Sequence, residues 1–203
     1  MKNKRKENSI RSLIHLYTVV MGVALSIAIT KLIDSQTGLQ SVTASSSLLF
    51  IAFIATLFPF YHGALRHLDD AYIENNNRHI KDGALVVDFF LLLLHGIGFV
   101  VLSILIAVPN HFAWTLIALL SIDVIWGLFA HYGSSSQDKQ TAEWKWTIIN
   151  FFFVGLAGWY LVAQSIFLEV MHDPLRLSIP IAIACIARTL VDYIWAKDFY
   201  FPK

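Results

Sequence analysis

Six long apolar runs dominate the sequence and restrict what the chain can fold into. A helix rises about 1.5 Å per residue and the hydrocarbon core of a bilayer is about 30 Å thick, so about 20 residues cross it. The backbone of a lipid-exposed segment must satisfy its own hydrogen bonds, which favours helices. The sequence therefore predicts an all-α, polytopic membrane helix bundle with spans at 10–33, 46–65, 84–108, 112–131, 146–168 and 177–196.

The composition agrees with a membrane protein and argues against a soluble one. Hydrophobic residues make up 57% of the chain and charged residues only 14%, against about 25% charged in soluble domains. No loop is long enough to fold alone, so we expect a single membrane domain over residues 1–203, preceded by a basic cytoplasmic tail at 1–9. The net charge of +1, with no pooled positive face, predicts no nucleic-acid partner.

The basic residues predict the direction of the spans. Twelve of the fifteen lie before the first span, in the second and fourth connections, or after the sixth span. Lysine and arginine concentrate in cytoplasmic loops of membrane proteins. We therefore expect both termini in the cytoplasm and a bacterial inner (plasma) membrane location.

Related patterns recur near the ends of the even-numbered spans. Ile122 to Trp126 and Val191 to Trp195 both contain an aspartate three residues before a tryptophan, and Arg66 and Arg188 each precede an aspartate by four residues. A repeat would arrange the chain as three αα-hairpins about an axis along the membrane normal. Coincidence explains the same patterns, because arginine and aspartate four residues apart attract each other on any helix.

Charged and polar side chains inside the spans are the candidate functional residues. Such groups are costly in lipid, so they face the bundle interior, and they often serve transport. Their positions predict one polar cluster in the cytoplasmic half of the membrane below an apolar outer half, with His95 as the upper limit. The predicted transport or gating residues are Asp88, Asp123, Arg188, Asp192, His95, His62, Arg66 and Asn150.

Two interpretations of this cluster stay open. In the first, ion pairs lock the helices together: Arg188 with Asp192 or Asp123, and Arg66 with Asp70 or Asp88. In the second, the residues line a vestibule that admits cytoplasmic water together with a cation, a proton or a small solute. Because Pro59 removes a helix hydrogen bond just above the cluster, Pro59 and Gly63 are the candidate hinge.

The sequence predicts no cofactor and no metal site, and it does not favour an enzyme. No motif supports haem ligation, and His62 and His67, five residues apart, point away from each other on a helix. Ser103 and Ser121 have no evident catalytic base. An enzyme that modifies lipid at the inner leaflet, with His62 or His67 as its base, is the third-ranked hypothesis.

The leading functional hypothesis is a multi-pass channel or transporter. Its partners are the lipid bilayer and either further copies of itself, as a homo-oligomer, or a membrane or cytoplasmic protein. The alternative is a non-transporting sensor, anchor or effector subunit. In that case the cytoplasmic face docks a partner through His67, Asp70, Arg78 and Lys81.

Overall fold

The computed structural model describes residues 2–33, 42–74, 83–133, 142–167 and 173–202, and these form helices without any strand. Six helices are long and apolar enough to cross a membrane, as predicted. The helices are α1 (Lys2–Leu32), α2 (Ala44–Asp69), α3 (Ala84–Ile104), α4 (Pro109–Gly133), α5 (Ala142–Phe167), α6 (Pro174–Trp195) and the short α7 (Lys197–Tyr200). A π turn, Asp70–Glu74, extends α2, and a 3-10 turn, Leu105–Ala107, follows α3.

Local sequence signals account for several helix starts. The Thr43 hydroxyl accepts a hydrogen bond from the backbone N–H of Ser46 (3.0 Å), which caps α2. Asp173 caps α6 in the same way, and Pro174 occupies the first turn, where its missing N–H costs nothing. Gly83 precedes α3 with a φ of 92°, a left-handed conformation that suits glycine.

Five of the six long helices begin before the predicted start of their span, α1 and α5 by the most. Helix α1 begins at Lys2, so residues 2–9, predicted as a tail, are helical and continuous with the first span. Helix α5 begins at Ala142 instead of 146, and it includes the buried Glu143.

Consecutive spans alternate in direction and bring the predicted cytoplasmic boundaries together. Lys6, near the start of α1, lies 5.3 Å from the ring centre of Tyr72, beyond the end of α2. Lys145, near the start of α5, donates to the carbonyl of Trp195 at the end of α6 (2.9 Å). We call this side the basic end. It holds the starts of α1, α3 and α5 and the ends of α2, α4 and α6.

The most extensive packing joins α2 with α6, α4 with α5, and α1 with α3. Three separate hairpins of consecutive helices would instead pack α1 with α2, α3 with α4 and α5 with α6 most extensively. Small residues permit two of these close approaches. A methyl group on Gly127 would lie 1.8 Å from the Thr147 hydroxyl oxygen, and one on Gly96 would lie 2.7 Å from a methyl carbon of Val20.

Both prolines inside the spans leave a carbonyl that a neighbouring helix satisfies. Pro59 has no N–H for the carbonyl of Ala55, and the hydroxyl of Thr189 in α6 donates to that oxygen instead. Pro180 leaves the carbonyl of Arg176 in the same way, and the Tyr160 hydroxyl of α5 donates to it at 2.9 Å. Each proline therefore creates a specific contact between helices.

The half of the bundle away from the basic end has a mainly apolar centre. Phe53, Phe99, Leu102 and Phe112 are fully buried there. Large apolar side chains also cover the outside: Phe129, Trp159 and Ile194 are 75%, 73% and 76% exposed. An apolar exterior of this kind suits lipid contact.

Candidate functional site

His67 is the centre of the first half of a polar cluster at the basic end. Its Nε2 lies 3.2 Å from Asp88 Oδ2 and its Nδ1 lies 3.1 Å from Glu143 Oε1. A neutral imidazole has one donor and one acceptor, whereas an ionised carboxylate only accepts. Both contacts are therefore hydrogen bonds only if the ring carries two protons or if one of the two carboxyl groups is protonated.

Two further side chains hold Asp88 in place. The Tyr72 hydroxyl donates to its Oδ2 at 2.6 Å, and the Trp126 indole N–H donates to its Oδ1 at 3.2 Å. The Trp126 ring also packs edge-to-face against His67, with ring centres 5.0 Å apart. This arrangement joins α2, α3, α4 and α5 through one histidine and its carboxylates.

Arg188, Asn150 and Asp123 form the second half of the cluster. Arg188 Nε donates to Asn150 Oδ1 at 2.6 Å, and Asn150 Nδ2 donates to Asp123 Oδ2. The arginine thus reaches the aspartate through a neutral amide instead of through a direct ion pair. The Arg188 guanidinium also lies over the Phe60 ring, 5.2 Å from its centre.

Asp192 adjoins this chain one helical turn below Arg188. Its Oδ2 accepts a hydrogen bond from the Tyr200 hydroxyl of α7 at 2.9 Å. Burial, followed by the neighbouring Asp192 carboxylate, raises the pKa of Tyr200, so its hydroxyl keeps its proton and donates it. The short α7 thereby covers the Asp192 side of the cluster.

The two halves face one small cavity of about 50 Å³. Five buried polar atoms on its lining side chains form no hydrogen bond of normal geometry with the part of the chain that the structure describes. They are Tyr17 Oη, His95 Nε2, Trp146 Nε1, Arg188 Nη1 and Asp192 Oδ1. A water molecule needs about 10–15 Å³ and two to four polar partners, so this cavity suits water.

His95 marks the limit of the polar region on the side away from the basic end. Its Nε2 lies 3.9 Å from Asp123 Oδ1, too far for a hydrogen bond. The imidazole packs edge-to-face on Phe60, and Phe60 packs on Phe99, with ring centres 5.2 and 5.4 Å apart. Beyond these rings the centre of the bundle is mainly apolar, with a few buried hydroxyl groups such as those of Ser103 and Ser178.

No family model, curated protein or solved structure matches this chain.

Six of the eight predicted transport or gating residues come together around this cavity or its hydrogen-bond chain. They are Asp88, His95, Asp123, Asn150, Arg188 and Asp192. His62 and Arg66 do not line the cavity. The ring of His62 packs on Tyr200, with centres 4.8 Å apart, and Arg66 Nε donates to the Phe199 carbonyl at 3.2 Å.

The contacts of Arg188 and Asp88 differ from the ion pairs predicted for them, whereas the predicted pair of Arg66 with Asp70 stays a prediction. Asp88 bonds to His67 and not to Arg66, and Arg188 has no carboxylate oxygen within 4 Å among the described residues. The Asn150 amide contacts Arg188 in place of the predicted carboxylate. Tyr72 and Trp126 donate to Asp88 in place of the predicted arginine.

The candidate hinge residues Pro59 and Gly63 both line the cavity. A methyl group placed on Gly63 would lie 3.4 Å from a ring carbon of Trp146 and 3.4 Å from the Tyr200 hydroxyl oxygen.

The candidate docking residues are scattered. His67 is in the polar cluster, with a side chain only 13% exposed, and Asp70 begins the π turn. Arg78 and Lys81 lie outside the described residues.

Sequence reasoning missed several members of the cluster. Glu143 carried a usable signal, because it lies seven residues before Asn150 and therefore on the same face of α5. Tyr17 also had one, since it belongs to a buried stripe of α1 with Leu13 and Met21. Tyr200 had none, because it lies beyond the last apolar run.

Proposed function

We propose that this multi-pass membrane protein transports protons, with a proton-binding site that opens towards the basic end. The observation that carries the proposal is the cavity, which groups eight side chains that are ionisable or carry a hydroxyl: Tyr17, His67, Asp88, His95, Asp123, Arg188, Asp192 and Tyr200. Such a space supports proton movement through side chains and water. The predicted broader class, a channel or transporter for a cation, proton or small solute, is narrowed here to the proton.

The size of the cavity disfavours larger cargo. A cation with six water ligands requires about 60–90 Å³ of such space at about 10–15 Å³ per water. The cavity has about 50 Å³. A proton needs only a few waters and hydrogen-bonding side chains, so it fits where a hydrated cation or a polar solute does not.

The balance of charges in the cluster favours bound protons. Its acidic members are Asp88, Asp123, Glu143 and Asp192, and its permanent cation is Arg188, to which His67 adds a second charge when protonated. Uncompensated charge in a buried site costs several kcal/mol. The cluster becomes neutral when its carboxyl groups take up about two protons, which makes it a proton acceptor.

Its position gives the cluster a route to water at one end only. Asp88 lies four residues from the start of α3, about 6 Å along the helix, and its side chain is 10% exposed. From Asp88 the polar groups continue through the cavity to His95 and stop at Phe60 and Phe99. Release at the opposite end therefore requires a second arrangement of these rings.

Proton flux into liposomes tests the proposal. The purified chain is reconstituted with a pH-sensitive dye inside, and a potassium gradient with valinomycin sets the membrane potential. We expect faster acidification than in protein-free liposomes. Asp123→Asn and Asp192→Asn should lower the added flux at least tenfold, because each removes a proton acceptor from the cavity.

The matched control is Asp198→Asn, which makes the same change at an exposed position of α7. It should retain the flux, and all three variants should elute as the wild type does in size-exclusion chromatography. Flux equal to that of protein-free liposomes overturns the proposal. So does full flux in the Asp123→Asn, Asp192→Asn double variant. Potassium entry without valinomycin would point to a cation path instead.

A further inference from the structure

A second and larger space opens on the lipid-facing side of the bundle, between α5 and α6. Its volume is about 620 Å³, within the range of about 300–1,000 Å³ that is typical of ligand sites. Helix α5 contributes Phe152 and Leu156, α6 contributes Ala184 and Val191, and Leu116 of α4 forms part of the back wall. We call this space the α5–α6 groove.

The groove has one charged side chain among its lining residues, Arg188. Apart from the Tyr160 hydroxyl and the Trp195 indole, every other lining side chain is apolar. The Tyr160 hydroxyl already bonds the Arg176 carbonyl and Gln164. A ligand of matching chemistry is therefore a long hydrocarbon chain with one anionic group.

Arg188 has unused capacity to bind such a group. The residue is 6% exposed, its Nε is committed to Asn150, and its Nη1 has no hydrogen-bond partner within the described ranges. It lines both the polar cavity and the α5–α6 groove. No carboxylate neutralises it directly, since Asn150 stands between it and Asp123. A guanidinium in this state binds a carboxylate strongly.

The depth of Arg188 decides which anion is suitable. It lies seven residues before Trp195, the last residue of α6, and therefore about 10 Å inside the basic end. A phospholipid phosphate stays charged and remains among the headgroups, because moving a fixed charge into hydrocarbon is costly. A carboxylic acid enters the hydrocarbon as its neutral form and then gives up its proton beside the arginine.

We propose that the α5–α6 groove binds a long-chain carboxylic acid from the surrounding lipid. The carboxylate accepts a hydrogen bond from Arg188 Nη1, and the hydrocarbon tail lies along the groove towards Leu116. The proton that the acid releases passes to the cavity groups beside Arg188, of which Asp192 is the nearest along α6. Binding of the acid does not depend on whether the cluster carries protons across the membrane.

Equilibrium binding of radiolabelled palmitate to the chain in nanodiscs tests the proposal. We expect saturable binding above the partition into empty nanodiscs. Arg188→Gln should weaken binding at least tenfold because it removes the cation. Ala184→Phe should weaken it similarly because its ring fills the tail site, and it leaves Arg188 unchanged. Ala118→Phe, an equal change on the exposed face of α4 outside the groove, should bind as the wild type does.

Competition distinguishes the headgroup from the tail. Unlabelled palmitate should displace the label, whereas hexadecanol and phosphatidylcholine should need at least tenfold higher concentration. The proposal is overturned if the wild type shows no saturable binding, if Ala184→Phe binds normally, or if hexadecanol competes as well as palmitate. If Arg188→Gln does not fold, the binding of palmitate to Ala184→Phe and the competition by hexadecanol still test the proposal.

Discussion

Asn150 bridges the two buried charges of the second half-cluster, and its replacement by leucine should destabilise the bundle. The residue is fully buried in α5, where its amide accepts from Arg188 Nε and donates to Asp123 Oδ2. Leucine has a similar length but no polar atom. The substitution therefore leaves one guanidinium N–H and one carboxylate oxygen without their partner.

The structure sets the size of the effect. Each lost bond involves a charged group, and hydrogen bonds to charged groups contribute about 1.5–3 kcal/mol in soluble proteins. Between membrane helices the average is about 0.6 kcal/mol and the largest values are about 1.7 kcal/mol, because the unfolded helices also find partners in the bilayer. The lower soluble value and the upper membrane value nearly coincide, at about 1.5–1.7 kcal/mol for each bond. Two such bonds give an expected loss of about 3 kcal/mol in the free energy of unfolding.

Unfolding by sodium dodecyl sulfate in mixed micelles measures this loss, since the chain has six tryptophans as fluorescent reporters. Ser121→Ala is the control, because among the described residues its hydroxyl bonds only the Ile117 carbonyl in its own helix (2.7 Å). It should change the free energy of unfolding by less than about 1 kcal/mol. Equal stabilities of Asn150→Leu and Ser121→Ala would show that the amide bridge contributes nothing, and the reasoning would be refuted.

Two further substitutions test the packing that positions the cluster. Gly127→Ala should destabilise the chain by about 1–3 kcal/mol, because its methyl group meets a threonine hydroxyl of α5 at 1.8 Å. Gly158→Ala, with nothing within 4 Å of the new methyl, should be neutral or stabilising. Equal unfolding curves for Gly127→Ala and Gly158→Ala would contradict the close approach of Gly127 to Thr147. Thr189→Val should cost about 1 kcal/mol by leaving the Ala55 carbonyl without a donor. In a Pro59→Ala background the restored N–H takes over that carbonyl, so an undiminished cost there would argue against this bond.

The helices were predictable because each apolar run is long enough to cross a membrane by itself. Their starts were less so, and α5 shows why. Glu143 and Lys145 looked too polar to belong to the span, yet Glu143 is buried against His67, 76 positions earlier in the chain. Hydropathy along the sequence contains no information about a partner that distant.

The grouping of the polar residues was predictable from their depth, whereas their pairing was not. Asp123, Asn150 and Arg188 lie at similar heights on three helices, which favours some contact among them. Which of them bond depends on the rotation of each helix about its own axis, and that rotation depends on contacts such as Gly127 against Thr147. A small rotation separates a direct ion pair from the amide bridge that the structure contains.

Helix α2 brings together the features on which a transport cycle would depend. The Phe60 ring closes the cavity on the side away from the basic end, and Pro59 directly precedes Phe60 in the chain. Because Pro59 lacks an N–H, α2 has one hydrogen bond fewer at this point, and the Ala55 carbonyl depends on Thr189 of α6. Arg188, next to Thr189 in the chain, lies over the same Phe60 ring. A change in the charge around Arg188, whether from a proton or from a bound acid, therefore acts at the place where α2 is least constrained. We expect any opening towards the opposite end to begin there.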